Sequence, residues 1–102
     1  VAGVMAAKRT SELIPLCHAL PLDHVSVDFE TAEDSIRIVS TVTASARTGV
    51  EIEALTAAGV AGLTLYDMLK ALSRSMLLSQ VRLLAKSGGR HGDYRATDGD
   101  AS

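Results

Sequence analysis

A titratable amine and a carboxylate lie three positions apart in the stretch YDMLK, at Lys70 and Asp67. Side chains at this spacing are neighbours on one face of a helix and can form an ion pair. The common interpretation is a surface pair that contributes less than about 1 kcal/mol to stability. The functional alternative is that Asp67 orients Lys70 and stabilises its charged form for general acid–base catalysis.

Two further carboxylates occupy alternate positions in TGVEIEALT, at Glu51 and Glu53. In an extended segment they would share a face, whereas in a helix they would not. One interpretation is a helix N-terminus, where the helix dipole favours acidic residues. The other is a pair of hydrogen-bond acceptors for the donor groups of a heterocyclic ligand.

Lys86 leads into a glycine-rich segment, KSGGRHGD. Successive backbone N–H groups in such a turn can point at an anion. The spacing is not that of the Walker motif, which excludes a nucleotide-binding P-loop. A simple connection to the C-terminal residues explains the glycines at least as well on spacing alone.

A thiol and an imidazole, Cys17 and His18, lie between Pro15 and Pro21. Both prolines oppose helix growth, so we expect a loop fixed at its two ends. Adjacent residues are poorly placed to act as nucleophile and base, and the other histidines do not complete a zinc-binding spacing. The pair therefore indicates ligand recognition more than a metal site.

The periodicity of apolar residues predicts the elements that must position these side chains. In chain order we expect a helix over residues 1–13, strands over 24–30 and 36–44 that form a hairpin, a helix within 50–75, and a strand over 77–86. This α-β-β-α-β order becomes the ferredoxin-like βαββαβ unit if a strand precedes the first helix. The predicted fold class is therefore α/β (α+β), an antiparallel sheet with two helices on one face.

The chain has 102 residues, enough for one domain. It starts without methionine and within a helical pattern, so we expect a preceding segment to supply the first strand. We assign residues 1–92 to a single catalytic domain and residues 93–102 to a flexible tail.

Composition restricts the partners. The net charge of −2 gives no electrostatic reason to expect binding to nucleic acid or an anionic membrane surface, and we expect no apolar run that spans a bilayer. The single cysteine cannot form an internal disulfide, which suits a reducing, cytoplasmic location.

Two glycines in the second helix, Gly59 and Gly62, should each destabilise it by about 1 kcal/mol relative to alanine. Close approach of another backbone would compensate, and we favour packing on the chain's own sheet slightly over packing on a second subunit. If this helix is unbroken, Glu53 and Asp67 lie about 21 Å apart along it. If both contact one small ligand, either the helix starts later or a neighbouring chain completes the site. We favour the neighbouring chain.

Three segments, AGVMAAKRTSELIPLCHALPL, TGVEIEALTAAGVAGLTLYDMLKA and RLLAKSGGRHGDY, resemble the MoaC family, the cyclic pyranopterin monophosphate synthases of molybdenum cofactor biosynthesis. The resemblance runs from Val1 to about Tyr94. It implies a ferredoxin-like enzyme that assembles as a hexamer, a trimer of dimers, with sites at the dimer interface. It also implies a pyrophosphate-releasing lyase that converts 3′,8-cyclo-7,8-dihydro-GTP to cyclic pyranopterin monophosphate.

The resemblance also implies the site residues. The residues at catalytic positions are Asp67, Lys70 and Lys86. The residues at substrate-binding positions or within the same motifs are Leu16, Cys17, His18, Glu51, Ile52 and Glu53. No resident cofactor or metal is expected, and a divalent cation accompanying the triphosphate is left open.

Departures from the family pattern keep other functions open. Ala19 stands where the family usually has proline, and Arg90 and His91 stand where it usually has lysine and serine. Arg90 keeps a positive charge but does not release a proton near neutral pH. These departures leave an inactive paralogue of the same fold as one alternative. A non-catalytic ligand-binding module is the other, because ferredoxin-like folds host many such roles. Pyrophosphate release would discriminate both from the enzyme.

Overall fold

The computed structural model describes residues 1–45, 49–86 and 94–95. The elements within these ranges are α1 (Ala2–Lys8), α2 (Thr10–Leu13), β1 (His24–Thr31), β2 (Ile36–Thr43), α3 (Glu51–Leu69), β3 (Ala85–Lys86) and β4 (Tyr94–Arg95). The two predicted helical regions and the predicted hairpin are confirmed. The glycine-rich loop over 87–93, with Arg90 and His91, lies outside the described residues.

The first helical region is split at Arg9, whose backbone (φ −112°, ψ 16°) leaves the helical conformation. The buried Thr10 hydroxyl donates to the carbonyl oxygens of Ala6 at 3.1 Å and Ala7 at 2.9 Å, which ties α2 to α1. Ile14 is extended, as expected for a residue before proline, and the helix ends there.

Small residues form the contact between α1 and α3. Ala57 and Ala61 of α3 are buried one helical turn apart, and Gly3 and Ala7 of α1 are buried as well. A Cβ placed on Gly3 would lie 2.9 Å from the carbonyl oxygen of Ala57. The two helices therefore approach to a distance that only glycine permits at this position.

The β1–β2 hairpin is antiparallel, and its register pairs Val25 with Val42 and Val27 with Ser40. Side chains alternate between the two faces of a strand, so these residues share one face. Val27 reaches the same Gly3 site on α1, and the Ser40 hydroxyl donates to the Ala54 carbonyl of α3 at 2.6 Å. The helices thus pack on the hairpin face that the alternation predicts.

The two glycines of α3 differ in their surroundings. A Cβ on Gly62 would lie 2.9 Å from Leu78 Cδ2 and 3.6 Å from Ile38 Cδ1, so the chain's own side chains approach it closely. Nothing lies within 4 Å of the corresponding position on Gly59. Packing within the chain therefore explains Gly62 but not Gly59.

The predicted strand over 77–86 is wrong for most of its length, because only Ala85–Lys86 pairs, with Tyr94–Arg95. Gln80 has a left-handed backbone (φ 55°), which interrupts an extended run. Leu78 packs on Gly62 of α3, so this apolar side chain covers the helix without joining the hairpin.

The fold class is α+β, with helices packed on an antiparallel sheet, as the sequence predicts. The strands described here form two separate two-stranded sheets, β1–β2 and β3–β4. Tyr94–Arg95 of the predicted tail belong to β4, whereas the prediction for the rest of the tail lies outside the described residues.

Helix α3 is long and apolar enough to cross a membrane by length and composition alone. Our expectation that no run reaches this length was therefore wrong. Core helices of globular proteins meet the same criterion, and α3 contacts α1 and β2. The criterion is weak evidence for a membrane span.

Candidate functional site

The first cluster of candidate residues lies at the N-terminal end of α3. Glu51 is the first residue of this helix, and its Oε2 lies 3.9 Å from the Nζ of Lys86. Glu53 is only 4% exposed, and its Oε2 lies 4.0 Å from the Sγ of Cys17, a weak hydrogen-bond donor. The fold thus brings together three segments that are distant along the chain.

The Cys-His loop reaches this cluster in an unusual backbone conformation. Leu16 has a positive φ of 66°, which is strained for a residue with a Cβ, and the residue is 99% exposed. His18 is exposed, whereas Cys17 is half-buried against Glu53. Ile52 is partly exposed, with 36% of its surface accessible to solvent.

A depression of about 490 Å³ adjoins the cluster. Its described lining is Glu51, Arg82, Leu83, Lys86 and Tyr94. Two cations and one carboxylate leave this lining with a net positive charge. The lining therefore suits an anionic group.

The second cluster is the Asp67–Lys70 pair at the C-terminal end of α3. Lys70 Nζ lies 3.0 Å from Asp67 Oδ1, and the two side chains are 62% and 74% exposed. The hydrogen bond from Asp67, followed by the attraction of its charge, raises the pKa of Lys70 above the ordinary value of 10.5. The amine is therefore a proton donor at neutral pH.

A second depression, of about 670 Å³, lies beside this pair and is lined by Tyr66, Lys70, Ala71 and Arg74. It contains an aromatic ring and two cations. Such a surface could hold a flat, electron-rich ring or an anionic group.

The two clusters stand at opposite ends of one helix. Because α3 runs unbroken from Glu51 to Leu69, Glu53 and Asp67 are about 21 Å apart along its axis. The later helix start that we considered is therefore wrong. A single small ligand cannot contact both clusters of one chain.

The structure adds residues that the sequence reasoning missed. Arg82 and Tyr94 line the depression beside Lys86, and Arg74 lies beside Lys70. A usable signal was the even spacing of Arg82 and Lys86, which puts both on one side of an extended segment. Across residues 1–45, 49–86 and 94–95, no three His, Cys, Asp or Glu side chains converge as a metal site.

The α+β fold alone does not decide function. A candidate site that combines carboxylates, amines and guanidinium groups suits a polar, anionic small molecule. The particular family is shown by direct comparison. The MoaC family model matches residues 1–89, so the chain belongs to the MoaC family.

Curated relatives agree. The chain is 56% identical to a cyclic pyranopterin monophosphate synthase of Chloroflexus aurantiacus (strain ATCC 29366 / DSM 635 / J-10-fl), over 93% of this chain and 60% of the relative. It is 55% identical to the enzyme of that name from Thermomicrobium roseum, over 99% of this chain and 62% of the relative. It is 56% identical to cyclic pyranopterin monophosphate synthase 3 of Mycobacterium tuberculosis (strain CDC 1551 / Oshkosh), over 98% of this chain and 57% of the relative. The chain thus spans about 60% of the length of the curated relatives it matches.

Proposed function

We propose that the protein is a cyclic pyranopterin monophosphate synthase, a lyase that converts 3′,8-cyclo-7,8-dihydro-GTP to cyclic pyranopterin monophosphate and pyrophosphate. The observation that carries this proposal is the family match over residues 1–89, a range that contains every candidate site residue. The names of the relatives support it. A reducing, cytoplasmic location is part of the proposal and fits the one free thiol, Cys17.

Lys70 is the proposed general acid and base during purine ring opening and pterin closure. Its 3.0 Å contact with Asp67 keeps the amine oriented and protonated, which suits proton donation first. Return of the proton requires a lower pKa, and burial under substrate or a neighbouring chain acts in that direction.

The N-terminal cluster of α3 is the proposed binding region for the rest of the substrate. Glu51 and Glu53 would accept hydrogen bonds from the heterocycle, with Leu16, Cys17, His18 and Ile52 as further contacts. Attack of a ribose-derived hydroxyl on the α-phosphorus forms the cyclic phosphate and releases pyrophosphate, and Lys86 stabilises the developing charge.

We propose that identical chains complete each site, in a hexamer built as a trimer of dimers with sites at the dimer interface. The separation of the two clusters supports shared sites. Large apolar side chains also remain exposed on and after α3, including Leu63 (59%), Met68 (71%) and Leu72 (83%). Exposed apolar surface of this kind is common at subunit interfaces.

The test is Lys70→Ala in the full-length protein, with purified 3′,8-cyclo-7,8-dihydro-GTP as substrate and pyrophosphate release as the readout. We expect at least about a hundredfold loss of rate, as for removal of a general acid–base group. Arg37→Ala is the matched control, because Arg37 forms an exposed ion pair with Glu30 on the hairpin at 3.6 Å.

Product formation at the parent rate by Lys70→Ala would refute the assignment of Lys70. Binding of the cyclised nucleotide by the parent without release of pyrophosphate would instead favour the non-catalytic module or the inactive paralogue.

A further inference from the structure

Arg82 is one of the charged side chains that line the first depression. Its Nη1 atom is buried, and within the part of the chain that the structure describes it has no hydrogen-bond partner. Buried polar atoms are normally paired, and an unpaired charged donor is strongly unfavourable. Among residues 1–45, 49–86 and 94–95, therefore, no acceptor is supplied at this place.

Glu51, the carboxylate in the same lining, does not supply that acceptor. It faces Lys86, with 3.9 Å between Oε2 and Nζ. The lining has two cations for one carboxylate, so an anion of at least one negative charge would balance it. Glu51 also begins α3, where the helix dipole is positive.

The chemistry of the missing acceptor follows from that of the donor. A guanidinium presents a planar fork of N–H groups that matches two oxygens of a phosphate or carboxylate, and it stays charged throughout the working pH range. Lys86 adds a point charge beside it. A polyphosphate, with many oxygens and several charges, can engage both groups at once.

We propose that Arg82 is a substrate-binding residue that holds the oligophosphate of the substrate, and afterwards the pyrophosphate product, together with Lys86. This inference rests on the proposed function for the identity of the ligand. Arg82 then lowers the free energy of bound polyphosphate and stabilises charge that builds on the leaving group.

The test measures binding of inorganic pyrophosphate to the full-length protein by calorimetry at fixed ionic strength. Because Arg82→Gln removes a charge-assisted contact, we expect it to weaken pyrophosphate binding about ten- to hundredfold. Arg37→Gln is the matched control, since it removes the same charge from an exposed site on the hairpin, and it should change affinity by less than about twofold.

A second measurement does not depend on the folding of a variant. Phenylglyoxal modifies accessible arginines, and peptide mass spectrometry with and without pyrophosphate compares Arg82 with Arg37. We expect pyrophosphate to protect Arg82 and to leave Arg37 unprotected. Equal modification of Arg82 in both samples would overturn the inference.

Two other outcomes would also overturn it. Parent affinity for pyrophosphate in Arg82→Gln, together with unfolding at a lower temperature, would show that the guanidinium pairs with a carboxylate of the protein itself. Equal weakening by Arg82→Gln and Arg37→Gln would show only a general effect of net charge.

Turnover of the cyclised nucleotide, measured in parallel, separates this inference from the proposed function. If the parent protein binds pyrophosphate through Arg82 but releases none from the nucleotide, the proposed function is refuted and the anion site stands. If the parent is active and Arg82→Gln keeps the parent KM and pyrophosphate affinity, the proposed function stands and the anion site is refuted.

Discussion

At the scale of single residues, the contact between Asp67 and Lys70 favours the protonated form of the amine. The two groups are exposed, so their ion pair contributes little to folding. Because the pKa of Lys70 is raised in the folded state, the pair contributes its full stability below pH 10.5, the ordinary pKa. That stability is lost as the pH rises through the folded-state pKa. The proposed role of the pair is therefore in proton transfer and not in folding.

Asp67→Asn should lower the pKa of Lys70, because it removes the hydrogen-bonding carboxylate that raises it. The high-pH limb of the rate profile, where the amine deprotonates, should move to lower pH. Direct NMR titration of the Lys70 amine would measure the shift without turnover. Glu30→Gln, in the hairpin ion pair, is the control and should leave both profiles unchanged. An unshifted Lys70 titration in Asp67→Asn would contradict the assigned cause.

The sequence predicted some of these neighbours and could not predict others. The i, i+3 spacing was sufficient for Asp67 and Lys70, because helix geometry alone places them together. The contact of Cys17 with Glu53 depends on how a loop folds over a helix 36 positions away, which no local pattern encodes. The even spacing of Arg82 and Lys86 was visible in the sequence, but the burial of the Arg82 Nη1 atom depends on the packing around it.

At the scale of elements, the contact between α1 and α3 depends on residues with little or no side chain. The spacing of apolar residues predicted both helices, and alternation predicted the hairpin that they cover. The failed strand over 77–86 shows the limit of that reasoning. A run of apolar residues can equally cover a helix, as Leu78 does at Gly62, and only the tertiary contact decides.

Gly3→Ala and Gly59→Ala should change stability in opposite directions. The new methyl group at Gly3 would meet the Ala57 carbonyl oxygen at 2.9 Å and Val27 Cγ2 at 3.0 Å, so we expect about 1–3 kcal/mol of destabilisation. The methyl group at Gly59 meets nothing within 4 Å, and alanine is the better helix former by about 1 kcal/mol. Chemical denaturation of both variants measures the two changes in the free energy of unfolding.

Destabilisation by Gly59→Ala would show that another chain or segment packs at this position. Size-exclusion chromatography of that variant separates the two cases, because a steric clash between subunits would also change the assembly. An unchanged stability of Gly3→Ala would contradict the close helix contact.

At the scale of the whole molecule, one straight helix carries two candidate clusters too far apart for one ligand. The sequence predicted this separation from helix rise alone, because residues 51–69 lack a helix-breaking proline. It could not predict how a second chain would align its own helix. Symmetric pairing, in which the N-terminal cluster of one copy meets the Asp67–Lys70 pair of the next, would complete two equivalent sites.

Mixing two inactive variants tests this arrangement directly. In a refolded equimolar mixture of His18→Ala and Lys70→Ala, half of the dimers carry both variants, and each of these has one intact site. About a quarter of the parent rate of pyrophosphate release should therefore return. A mixture of His18→Ala and Glu53→Gln is the matched control, because both changes affect the same cluster and no dimer regains a complete site. Inactivity of a mixture shown by mass spectrometry to contain heterodimers would mean that each site belongs to one chain.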